Sequence, residues 1–100
     1  MTDLRLDAET HHLIGPLGSV HLTPVQSRIM QCLLDDPGGG NTILELAAVI
    51  WPDNPPSGVA TTLRMHIHYL RLALHKVTAG TVIAVSHPES VYALADAEPN

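Results

Sequence analysis

The side chains in this 100-residue sequence with chemistry to offer are seven histidines, one cysteine, five Lys or Arg and ten Asp or Glu. Metal binding needs such groups to converge at ligand spacing. His11 and His12 are neighbours that point to opposite faces of a strand, His66 and His68 diverge on a helix, and no Cys or carboxylate joins either pair. No metal site is expected, and no other cofactor. Catalysis needs a nucleophile beside a base, or paired carboxylates, and no such grouping stands out. Gly38-Gly39-Gly40 lacks the Lys-Ser/Thr of a phosphate-cradling loop and follows a helix pattern instead of a strand. No catalytic residue is assigned, and an enzyme is disfavoured. Cys32 lies in the apolar run Ile29, Met30, Cys32, Leu33, Leu34, where a thiol behaves as a small core residue unless something lowers its pKa.

What remains is charge. The formal net charge of −5 argues at first sight against a nucleic-acid partner. By segment the picture changes: residues 1–53 hold seven acids and two bases, residues 54–88 hold Arg64, Arg71 and Lys76 with no acid, and residues 89–100 hold three acids. The chain has a cationic middle. His66, His68, His75 and His87 fall inside it and add charge on mild acidification.

Elements must position these groups, and the composition says that they form. Hydrophobic residues make up 45% and charged residues 15%, which excludes an intrinsically disordered chain. The length fits a single domain over residues 1–100. With Trp51, Tyr69 and Tyr92 as the only aromatics, the core is built from Leu, Ile, Val and Ala. The N-terminus MTDLRLDAET has no apolar signal core, and no apolar run approaches the eighteen or so residues of a membrane span. A cytoplasmic protein of bacterial or phage type, with no membrane partner, is expected.

Residues 4–22 read as an antiparallel meander of short strands broken by turn-formers. Thr23-Pro24 opens a first helix over 23–36, Thr being a good N-cap and Pro costing no intrahelical bond at the first position. The three glycines read as a flexible connector. Thr42 followed by Glu45 is a capping box for a second helix over 42–51, with Ile43, Leu46, Ala47 and Ile50 on its buried face. Three prolines make 52–58 a loop. In the third helix, 59–78, Leu63, Ile67, Leu70, Leu74 and Val77 step by 4, 3, 4 and 3 along one core-facing arc. Met65, Tyr69 and Leu72 lie opposite, and Arg64, His68, Arg71 and His75 line one flank. Residues 81–94 read as a hairpin, and the acidic tail 95–100 as frayed.

A strand meander, three helices and a terminal hairpin describe an α+β winged helix-turn-helix. Leu22-Thr23-Pro24, Trp51, and Thr62 through Leu74 resemble the OmpR/PhoB-type effector domain of bacterial response regulators over about residues 4–94. In that family the third helix reads approximately T-V-x-V-H-I-x-x-L-R-x-x-L, matched here by His66, Ile67, Leu70, Arg71 and Leu74.

The resemblance implies a DNA-binding transcriptional regulator, here without the receiver domain the family normally carries. Its third helix would enter the major groove of double-stranded DNA, and its hairpin wing an adjacent minor groove. Carried over by position, Arg64, His68 and Tyr69 face bases, and His66 and Arg71 contact phosphates or neighbouring backbone. Trp51 sits near the phosphate backbone, with His75, Lys76 and His87 as further DNA-facing residues. The loop 52–58, with Asp53 and Asn54, would touch RNA polymerase. This chain departs from the family where His68, Tyr69 and Leu72 replace Arg or Lys, and where Ser86-His87-Pro88-Glu89-Ser90 lacks the wing Arg. Each lost cation weakens phosphate neutralisation, so DNA binding should be modest and helped by a homodimer or a partner. The alternative is a protein-interaction module, in which Met65, Tyr69, Leu72, Asp53 and Asn54 hold RNA polymerase or another regulator.

Overall fold

The computed structural model describes residues 4–36 and 39–97. Three short strands, β1 (Arg5–Asp7), β2 (His12–Gly15) and β3 (Gly18–His21), form an antiparallel sheet in the order β1-β2-β3. In its register Leu6, Leu13 and Val20 stand opposite one another. Leu13 is fully buried and the other two are half-buried, so this row faces the core. Asp7, His12 and His21 make the next row, on the opposite face because side chains alternate.

Helix α1 (Pro24–Asp35) begins where the sequence places Thr-Pro. Thr23 Oγ1 accepts from the Gln26 amide and Gln26 Oε1 accepts from the Thr23 amide, each at 3.2 Å, a full capping box. Helix α2 (Ile43–Ile50) starts with the Thr42 and Glu45 pair in the same reciprocal arrangement, at 3.1 and 2.8 Å. Helix α3 (Val59–Val77) buries Leu63, Ile67, Leu70, Leu74 and Val77, the arc read from the sequence, together with Ala73. Its N-cap is Gly58 at φ 68°, with no side-chain cap. The three helices and both sheets enclose one core of Leu, Ile, Val, Met30 and Tyr92. Each large apolar side chain buried there contributes about 1.5–3 kcal/mol.

The structure departs from the sequence reading in two places around the hairpin. Asn41–Thr42 is a strand, labelled β4, as well as a helix cap. With β5 (Thr81–Ser86) and β6 (Val91–Asp96) it makes a second antiparallel sheet in the order β4-β6-β5. The glycine connector is correspondingly less free than expected: Gly40 has φ 103°, and a Cβ there would collide with Val91 Cγ1 of β6. Gly38 lies outside the described residues. The tail also begins later than its acidity suggests. Asp96 pairs with Thr81, and the Ala97 amide donates to the Gly80 carbonyl at 3.0 Å; residues 98–100 lie outside the described residues.

Both sheets pack against α3. The amide of Leu17, in the β2-β3 turn, donates to the Val77 carbonyl at 2.9 Å and fixes the helix end against the first sheet. Gly15 permits this approach, since a Cβ there would collide with the Val77 carbonyl.

Candidate nucleic-acid interface

Helical spacing divides the outward surface of α3 into two parallel stripes. Arg64, His68, Arg71 and His75 recur at steps of 4, 3 and 4, and Met65, Tyr69, Leu72 and Lys76 repeat the same steps one residue later. The first stripe is polar and cationic; the second is apolar and ends in an ammonium. Arg64, His68, His75 and Lys76 are exposed. Met65, Tyr69 and Leu72 are 48%, 50% and 49% exposed, so none of them is taken into the core. His68 and Tyr69 lie edge to face, with ring centroids 5.5 Å apart.

Arg71 and His66 occupy different settings from their neighbours. Arg71 is half-buried and donates from Nε and Nη2 to the Ile83 carbonyl of β5, at 3.2 and 3.0 Å. It thereby ties α3 to the β5-β6 hairpin. A guanidinium has five N–H donors, so this clamp leaves others for a ligand. His66 precedes Leu70 and Ala73 by four and seven residues and so sits at the far border of the core arc. Its Nδ1 is buried without a hydrogen-bond partner among the described residues, which leaves external contacts to the Nε2 side.

The other site residues are spread around this helix. Trp51 is the C-cap of α2; its amide donates to the Ala47 carbonyl at 2.8 Å, and its ring packs half-buried on the core. Asp53 and Asn54 are exposed in the loop between α2 and α3. His87 and Glu89 are exposed in the four-residue loop that closes β5 onto β6, where Ser86 pairs with Val91. Among the described residues no carboxylate forms an ion pair with Arg64 or Lys76, and no group of three His, Cys, Asp or Glu is brought together to hold a metal.

Sequence reasoning missed the exposed apolar residues of α2. Leu44 is 76% and Val49 56% exposed; in the run ILELAAVI the one polar side chain, Glu45, is taken up by the cap and marks the solvent side weakly. It also missed the pairing of His12 with His21, whose rings lie 5.2 Å apart across β2 and β3. The signal for that pair is the two-residue turn Pro16-Leu17, which fixes the register.

Comparison with known proteins decides the family. The model of the family described as "Transcriptional regulatory protein, C terminal" matches residues 18–90. The chain belongs to that family, the OmpR/PhoB-type effector domains. The match runs from β3 to the wing loop and so takes in α3 and both of its stripes. Among solved structures, the chain is similar to the DNA-binding domain of the response regulator AdeR, solved in complex with an intercistronic region. The TM-score is 0.73 at 18% identity, covering 93% of this chain and 95% of that one. At that identity the likeness is one of fold, and it makes the β5-β6 hairpin the wing. No curated protein sequence matches the chain significantly. No described helix is long and apolar enough to cross a membrane.

Proposed function

We propose that this effector domain binds double-stranded DNA as a transcriptional regulator, with α3 in the major groove and the β5-β6 wing beside it. The observation that carries this reading is the cationic stripe of α3 on a family member's third helix. Arg64, His68 and His75 are exposed along it, and the clamp of Arg71 on Ile83 holds the wing alongside. An α-helix fits the major groove, and Arg reads guanine there through paired hydrogen bonds. Arg64 and His68 therefore serve as base-facing groups, with Tyr69 beside them. Arg71, His75 and Lys76 face phosphates, and His87 does so from the wing. His66 contributes from its Nε2 side only, and Trp51 supports the backbone contact from α2.

The test is fluorescence anisotropy with a labelled duplex taken from a genomic-fragment selection, at low salt. Arg64→Ala is expected to weaken binding by about 1–3 kcal/mol and to relax preference at one base position. Unchanged affinity and preference in that variant would count against the reading.

A second reading is favoured by one observation. Met65, Tyr69 and Leu72 form an exposed apolar stripe, and clusters of this kind mark interaction surfaces. On this reading the stripe, with Asp53 and Asn54 in the adjacent loop, holds RNA polymerase, another regulator or a second copy of the chain. If duplex affinity is negligible while Tyr69→Ala or Leu72→Ala abolishes co-purification with RNA polymerase, the protein-binding reading prevails.

A further inference from the structure

We propose that the cleft between α3 and β5 is a binding site for a small organic acid, one carboxylate on a short apolar body. The cleft encloses about 210 Å³ behind the C-terminal half of the cationic stripe. Its lining is mainly apolar, from Leu74, Ala79, Val82 and Ile83, with the hydroxyl-bearing Thr78 and Thr81 and the cation-bearing Arg71 and His75. No carboxylate lines it.

Three features select this ligand class. The guanidinium of Arg71 is already oriented, because Nε and Nη2 both donate to the Ile83 carbonyl at 3.2 and 3.0 Å. A fixed fork loses little freedom when its remaining donors meet a carboxylate, and such charge-assisted bonds are roughly twice as strong as neutral ones. His75 follows Arg71 by one helical turn and lines the same cleft, so two nitrogen-bearing groups address one anionic head. The apolar walls suit a ring or short chain, and the volume lies below the roughly 300–1,000 Å³ of pockets for drug-sized ligands. A single-ring acid fills it.

The position gives such a ligand leverage. It sits where the helix and the wing meet and engages Arg71, the residue that joins them. Bound there, a carboxylate neutralises one end of the cationic stripe and weakens duplex binding. This last consequence rests on the DNA-binding reading above; binding of the acid does not.

The probe is benzoate, with benzamide as its neutral isostere, titrated into the full chain and followed by amide chemical shifts without DNA. Benzoate is expected to shift the amides of residues 71–83 saturably, with a millimolar Kd, and benzamide at least tenfold more weakly. Val82→Phe, which fills the cleft from a residue already 38% exposed, is expected to abolish the shifts while leaving the spectrum folded. The proposal fails if the shifts do not saturate, if benzamide matches benzoate, or if Val82→Phe leaves them unchanged. Because this readout contains no DNA, a failure of duplex binding leaves it intact. Where duplex binding is present, an unchanged duplex Kd on adding benzoate at constant ionic strength overturns the regulatory consequence alone.

Discussion

Arg71 shows how one side chain can join two elements and still keep donors for a ligand. It is half-buried on α3, and its guanidinium donates to the Ile83 carbonyl. Hydrogen bonds from a charged group contribute about 1.5–3 kcal/mol. Arg71→Ala is therefore expected to lower unfolding free energy by about that amount, measured by urea denaturation, and to flatten the salt dependence of duplex binding by about one unit of slope. Arg71→Lys keeps the charge but not the fork, so it should restore the salt slope more fully than the stability. Cys32 makes the opposite case. Burial, and secondarily the nearby Asp35 carboxylate, raise its thiol above the ordinary value of 9.0. Native protein at neutral pH is thus expected to react with a disulfide reagent much more slowly than unfolded protein, as read by thionitrobenzoate release. Both outward stripes of α3 were legible in the sequence, because helical period alone fixes which residues share a face. The Arg71 clamp and the buried Nδ1 of His66 were not, since each depends on what packs against the helix from elsewhere in the chain.

At the scale of elements, the signals that worked were local. Thr42 with Glu45, Thr23 with Pro24, and the proline-rich loop each act within four residues, and the helices begin where those residues place them. The signal that failed was β4: two residues carry no period, and their pairing partner lies some fifty positions away in β6. The glycines separate these two kinds of constraint. Gly58 opens α3 at φ 68° with nothing within 4 Å of where a Cβ would stand, so Gly58→Ala carries only the backbone cost, about 1–2 kcal/mol. Gly40 combines φ 103° with a collision against Val91 Cγ1. Gly40→Ala should therefore destabilise more than Gly58→Ala, and it should do so by loosening β4 from β6. Thermal denaturation ranks the two variants, and amide exchange in β6 at Val91 and Tyr92 locates the effect. The turn after β1 adds a pH-dependent element. The Asp7 carboxylate accepts from the Thr10 and Glu9 amides, which with the lesser pull of His12 hold it below its ordinary 3.8. A depressed carboxylate stabilises the fold above that value and loses its effect as pH falls through its lower, folded one. The stability gap between the native chain and Asp7→Ala is thus expected to be present at neutral pH and to close in acid.

For the molecule as a whole, the decisive quantity is where its charge sits. The net charge of −5 opposes a polyanion at long range, whereas the α3 stripe favours one at contact. Residues 54–88 contain no acid, and Glu89 is the first acid beyond them, exposed in the wing loop beside His87. On the DNA-binding reading that carboxylate faces a groove lined by phosphates, so it costs affinity without holding any part of the fold. Glu89→Gln removes the repulsion and Glu89→Lys replaces it with a contact. The expected order of duplex affinity at fixed salt is Lys above Gln above Glu. The Lys variant alone should steepen the slope of log K against log salt, by about 0.9 for one added phosphate contact. Screening over about 10 Å at 0.1 M salt separates the two causes. If the gain came only from reduced net charge, placing the same substitution at Asp35, an exposed acid at the end of α1 and outside the cationic segment, would reproduce it. If the wing meets the DNA backbone, Asp35→Lys should give a smaller gain in anisotropy titrations, because its charge is not delivered to a phosphate.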